Sequence, residues 1–180
     1  MHHNAQHPLR PCLIATLVTL SVFAGCAQPP AIQKNQTDSQ ACDALKKLIH
    51  EAKTDFNALK VGEGVADYDH VRWDAKDVFP GAECDVIRWG AGKTNYACTW
   101  IKTDTKEARK DFSWGADKAE GCLGPSWVKS RLPGVTGLGD RFSTAGNPTV
   151  VDIRILRELT DSKTWQTSLT VGPAVNRDGK

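Results

Sequence analysis

Residues 82–102 read AECDVIRWGAGKTNYACTWIK, and this stretch decides the fold. Gly90-Ala91-Gly92 breaks it into two arms, and Gly-rich breaks between alternating runs mark hairpin turns. With the turn centred on Ala91, Cys84 faces Cys98, Val86 faces Tyr96 and Ala82 faces Trp100. One face is then apolar throughout, and strand side chains alternate with period two, so this register alone buries one face. The other face carries Glu83, Asp85, Ile87 and Thr99 and is at least partly wet. The register predicts a Cys84–Cys98 disulfide inside the hairpin.

Outward from the hairpin, the chain alternates helical and strand patterns. Ahead of it, Leu45, Leu48, Ile49, Ala52, Phe56 and Leu59 recur at spacings of three and four, which predicts a helix over 40–60 with one apolar face. Asp38 or Ser39 serves as its cap. The opposite face, with Lys46, Lys47, Glu51, Lys53 and Asp55, reads as solvated. GEGVADYDH at 62–70 reads as a loop. Its acids, with His70 and Asp74, lack the spacing of a calcium loop. After the hairpin, Ala108, Phe112, Gly115, Ala119 and Leu123 define a second helix over 105–123, with Thr105 as N-cap. Gly134, Gly137 and Gly139 make no dinucleotide fingerprint because no helical pattern follows, and they read as loop. Residues 141–144, 150–159 and 164–171 read as strands, the last two joined by a polar turn at 160–163. Trp127 with Leu132-Pro133-Gly134 echoes Trp73 with Phe79-Pro80-Gly81; repeated turn chemistry explains the echo more simply than a duplication.

If the helices lie antiparallel, the start of the first meets the end of the second, and Cys42 comes to Cys122. Such a bridge closes a long loop. The pairings 42–84 with 98–122 and 42–98 with 84–122 stay open on sequence alone. Two disulfides are the expected use of these four cysteines, not a metal, because no Cys-x-x-Cys occurs and only His50 and His70 accompany them. The expected fold is α+β: two helices packed on one face of an antiparallel sheet of about five strands.

The first 25 residues fit a targeting segment. Arg10 precedes the apolar run 12–24, whose 13 residues fall short of the ~20 that span a bilayer. The run closes with Leu20-Ser21-Val22-Phe23-Ala24-Gly25-Cys26. That ending resembles the lipobox of bacterial lipoproteins, with Phe23 where Leu is usual. The resemblance implies cleavage before Cys26, a lipid on that cysteine, and a membrane-anchored chain. Ala27 in place of Asp implies the outer membrane, facing the periplasm. AQPPAIQKNQTDS at 27–39 is a polar tether that reaches roughly 40 Å when extended. Residues 40–175 form one domain, and 176–180 a polar tail.

Beyond Cys26 the chain holds 22 Lys and Arg against 21 Asp and Glu. This balance gives no electrostatic case for nucleic acid. No nucleophile elbow, H-E-x-x-H, P-loop or kinase signature occurs. His70 beside its acids is the best hydrolase candidate, but it has no marked nucleophile, so no enzyme and no cofactor is expected. All six tryptophans lie after the tether; their rings suit interface anchors or sugar stacking. Trp100 belongs to the core face. Trp89, Gly90, Lys93 and Asn95 at the hairpin tip, with Trp114 and Trp127, are the candidate contact residues. The expected function is a protein-binding envelope lipoprotein: an assembly factor, or an inhibitor of a cell-wall-degrading toxin. The alternative is a peptidoglycan or glycan binder.

Overall fold

The computed structural model describes residues 38–102, 104–132, 138–157 and 164–175. The apolar leader run, Cys26, the tether up to residue 37, the glycines at 134 and 137, the turn at 160–163 and the polar tail lie outside them. Among the described residues no helix is long and apolar enough to cross a membrane.

Helix α1 spans Asp38–Glu51 and buries Ala41, Ala44, Leu45 and Leu48. It begins at Asp38, one of the two expected caps, and ends well before Lys60. A 3₁₀ turn, Ala52–Thr54, follows it. Asp55 and Phe56 then take left-handed backbone, with φ of 53° and 54°. This reversal, not a further helical turn, delivers Phe56 and Leu59 to the core, where both are essentially inaccessible. Their spacing imitates a helix because a tight turn also returns the chain to one side every three or four residues. Helix α2 spans Thr105–Leu123, as the apolar spacing predicts. Its cap is Asp104, not Thr105: the Asp104 carboxylate accepts a 2.9 Å bond from the Glu107 amide, satisfying a donor that the first turn leaves open.

Eight strands follow one another as β1 (Lys60–Ala66), β2 (His70–Ala75), β3 (Glu83–Trp89), β4 (Thr94–Lys102), β5 (Val128–Arg131), β6 (Gly139–Ser143), β7 (Thr149–Arg157) and β8 (Trp165–Pro173). They form one antiparallel sheet in the order β1-β2-β3-β4-β8-β7-β6-β5. The α+β class with two helices is as expected, but the sheet has eight strands rather than about five. The additional ones are β1, β2 and β5. Both edge strands are almost wholly exposed, so neither face imposes the apolar alternation by which strands are recognised. The stretch 62–70, expected as loop, therefore holds most of β1 and the start of β2.

The order maps onto itself when the halves are exchanged. One helix and four strands (α1, β1–β4) are followed by one helix and four strands (α2, β5–β8), and the halves meet where β4 pairs with β8. The Trp and Pro-Gly echo does not mark this repeat. Trp73 lies inside β2, the second strand of its half, whereas Trp127 lies just ahead of β5, the first of the other. The repetition is in the order of elements, not in the echoed residues.

Both helices cover one face of the sheet. That face carries Cys84, Val86, Tyr96, Cys98, Trp100, Phe142, Val151, Ile153, Ile155, Leu169 and Val171, all buried. Full burial of one such aliphatic or aromatic side chain contributes about 1.5–3 kcal/mol. The hairpin register pairs Cys84 with Cys98 and Val86 with Tyr96. The Cys84–Cys98 bond joins Cα atoms 4.1 Å apart. Cys42–Cys122 ties the start of α1 to the end of α2, with Cα atoms 4.9 Å apart. Beside it, Lys118 Nζ lies 2.6 Å from the Asp38 carboxylate.

Candidate functional site

The turn after β3 places Trp89 on the sheet face that the helices leave bare. His70 opposes it across β2 and β3, with ring centroids 5.4 Å apart. The indole Nε1 donates to Asn95 Oδ1 at 3.1 Å. The Asn95 amide in turn donates to the Pro173 carbonyl at 3.0 Å, and Lys93 Nζ donates to the Ala174 carbonyl at 2.9 Å. Gly172 makes room for this tie: a Cβ there would stand 2.5 Å from Asn95 Nδ2, and its φ of 144° suits glycine. Gly90 closes the group by donating its amide to the Asp69 carbonyl at 2.9 Å, and Asp69 Oδ1 lies 2.7 Å from His70 Nδ1. Trp89, Gly90, Lys93 and Asn95 thus form one rigid corner, as adjacency on the hairpin implies. Its anchors, Pro173 and Ala174, lie far along the chain and carry no signal of the contact.

Trp114 and Trp127 do not join this corner. Trp127 packs against the core ahead of β5. Trp114, on α2, lines an apolar cavity of about 60 Å³ between the helices and the sheet, together with Leu45, Phe79, Trp100, Ile153 and Leu169. Asp111 and Lys118 border the same cavity. Asp111 Oδ2 is buried there. Its neighbour is Lys102 Nζ at 3.0 Å, an ion pair without the alignment of a hydrogen bond. Trp100 is core, as expected. Trp73 is clasped between Gly64, which has no side chain to collide with the indole, and the ammonium of Lys60, 4.4 Å from the ring centroid. Desolvation of Lys60 lowers its pKa, only partly offset by the charge of Asp55. All six tryptophans are at least half covered.

The bare face carries polar pairs that the sequence reading passed over. Arg141 on β6 grips Asp152 on β7 through two 2.7 Å bonds, from Nε and Nη2. Those bonds raise the Arg141 pKa. Arg154, two residues along β7, is desolvated by burial, which lowers its pKa; its Nε is buried without a hydrogen-bond partner. In the other half Arg72 on β2 meets Asp85 on β3 at a looser 3.8 Å. Burial raises the Asp85 pKa, and Arg72 only partly opposes this. The signal for the tighter pair was present: Asp152 and Arg154 alternate with Val151, Ile153 and Ile155 in β7, so two charges recur inside an otherwise buried strand.

The acids at 63–74 do not converge: among the described residues no group of three or more His, Cys, Asp or Glu is placed to hold a metal ion. His50 lies in the last turn of α1, in an exposed position. Comparison with protein-family models, with curated proteins and with solved structures finds no match for this chain.

Proposed function

We propose that this chain is a lipid-anchored envelope protein that works as a protein-binding module rather than an enzyme. In this reading Cys26 carries the lipid, residues 27–37 form the tether, and the domain faces the periplasm from the outer membrane. Its partner is an envelope-assembly component or a wall-degrading toxin that it neutralises. The observation that carries the reading is the rigid corner at Trp89. The indole is held on one side by His70 and through its Nε1 by Asn95, and Asn95 is itself tied to the last described strand. An aromatic anchor fixed before binding loses little freedom on docking, which is how interface hot spots are built. The coverage of every tryptophan supports a protein interface over an open stacking platform for sugars.

The test uses the mature chain as bait against envelope and culture fractions, with captured proteins read by mass spectrometry. One stoichiometric partner is the expected result. Trp89→Ala should then weaken that complex at least tenfold while thermal unfolding stays cooperative. Wild-type affinity in Trp89→Ala removes the corner from the interface, and capture by purified peptidoglycan alone replaces the protein partner with a glycan.

A further inference from the structure

Five large apolar side chains are exposed among the described residues, and three of them, Val61, Val65 and Tyr68, fall within eight consecutive positions. Scattered single exposures are ordinary on a protein surface, whereas a concentration of them marks an interaction site. Val61 and Val65 belong to the edge strand β1, and Tyr68 to the turn that joins it to β2. Val61 is paired with Asp74 and Val65 with Arg72. Directly opposed residues share a face, so both valines stand on the face that the helices leave bare. Ile87 continues that row beyond Arg72, and the His70–Trp89 pair follows two positions along the same face. The edge therefore runs into the Trp89 corner. Tyr68 is fully exposed, yet its backbone is fixed. The Asp67 amide donates to the His70 carbonyl at 2.8 Å, and the Tyr68 amide donates to Asp67 Oδ1 at 2.7 Å. A turn held in this way leaves only side-chain rotamers to order on docking.

The charge along this edge has one sign. Residues 61–69 carry Glu63, Asp67 and Asp69 and no Lys or Arg, and all nine are exposed. The neighbouring bases are engaged: Lys60 lies over the Trp73 ring, and Arg72 is drawn to Asp85. Backbone pairing is not the mode of contact. The β1–β2 register shifts between Val61 and Val65, and such a bulge breaks the regular ladder that an added strand needs. A partner therefore docks through side chains. We propose that this edge binds a segment of the protein partner that combines basic with apolar side chains. Apolar groups cover Val61, Val65 and Tyr68, and Lys or Arg meets the carboxylates of Glu63, Asp67 and Asp69. The inference rests on the protein-binding reading above and names the chemistry of the partner. Opposed charge at a rim speeds encounter and excludes acidic competitors, and a cation also settles on an exposed tyrosine ring.

Three hexapeptides test it: alternating arginine and leucine, alternating glutamate and leucine, and alternating arginine and serine. The mature chain is titrated with each while the amides of residues 61–69 and the Tyr68 ring are followed by NMR; the only other tyrosine, Tyr96, is buried. The arginine–leucine peptide should shift these signals and bind about tenfold more tightly than either control. Tyr68→Ala and Val65→Ser should each weaken it about fivefold with cooperative unfolding retained. Asp67→Asn with Asp69→Asn keeps the side-chain acceptors and removes two charges. It should cut the preference for arginine over glutamate about tenfold and flatten the dependence on salt; Glu63→Gln reads the same kind of loss at a position outside the turn. Silence at 61–69 with all three peptides, or equal affinity for the arginine–leucine and glutamate–leucine peptides, overturns the edge. In the capture experiment, Tyr68→Ala with Val65→Ser should weaken the same partner that Trp89→Ala weakens. A partner lost with Trp89→Ala but held at full affinity by the Tyr68 and Val65 variant overturns this edge and leaves the corner standing. Peptide binding at the edge with no captured protein upholds the chemistry of the edge and overturns the corner reading instead.

Discussion

The two halves of the sheet share an order of elements but are held together by different means. In the first half an Arg–Asp pair joins the second and third strands on the bare face: Arg72 and Asp85, 3.8 Å apart, with Arg72 largely exposed. In the second half the equivalent strands carry Arg141 and Asp152, joined by two bonds of 2.7 Å and with Asp152 fully covered. The first half compensates covalently, through Cys84–Cys98 across its central hairpin. The second has no disulfide among its described strands and relies on β7, whose first five residues are all buried. The first half is stapled across its hairpin, and the second is held by a tight buried ion pair.

This contrast is breakable at its strongest point first. Asp152→Ala leaves the Arg141 and Arg154 guanidinium groups without their carboxylate in a covered site. Removing one member of a buried pair costs about 3–5 kcal/mol, and urea denaturation should show a loss of that size. A loss under about 1 kcal/mol would place this pair in the same class as its exposed counterpart. Replacing Cys84 and Cys98 together by Ala opens a link with sequence separation 14. Loops of that length contribute about 3 kcal/mol, so the midpoint should fall by a comparable amount, with the first half exchanging its amides faster than the second.

Tyr96 supplies a pH-dependent test of the first half. Its hydroxyl donates to the Lys76 carbonyl at 2.7 Å and accepts from the Val78 amide at 3.3 Å. Burial pushes its pKa up from 10.0 to about 12. The folded state therefore favours the protonated phenol. Its contribution is fully present below pH 10 and is lost as pH rises towards 12. Stability of the unsubstituted chain should fall across that window, and Tyr96→Phe should flatten the fall while lowering stability by about 1 kcal/mol at neutral pH. The smallest effect belongs to Asp85. Its pKa is raised mainly by burial, so the ionised form is disfavoured by folding at neutral pH. Asp85→Asn should leave stability unchanged within about 0.5 kcal/mol or raise it slightly. A clear loss on chemical denaturation would mean that the looser pair matters as much as the tight one.

What the sequence disclosed follows the same division. The hairpin register, with it the Cys84–Cys98 bond, and the span of α2 were legible because each buries one face and leaves a period; Cys42–Cys122 followed only if the helices lay antiparallel, and the other pairings stayed open on sequence alone. The edge strands β1 and β5 were not, since Val61, Val65 and Val128 point to solvent and no side of either strand is uniformly apolar. The end of α1 was misread because Phe56 and Leu59 reach the core through a left-handed turn. For the corner, adjacency on the hairpin announced Trp89 and Asn95, but the partners at Pro173 and Ala174 required the topology. Trp114 was legible as a singular residue and not as a cavity wall, because a void is defined by several elements at once.

The position of β8 has a consequence for how the chain must be made. It lies between β4 and β7, at the middle of the sheet, yet among the described strands it is the last in chain order. Until it arrives, β4 and β7 each present an unpaired edge, and exposed edges invite pairing with other chains. The first half can close its hairpin disulfide early, but the two halves can be stitched together only once β8 has been made. Assembly is therefore governed by β8, and a nascent chain stalled before residue 164 would carry two unmatched half-sheets.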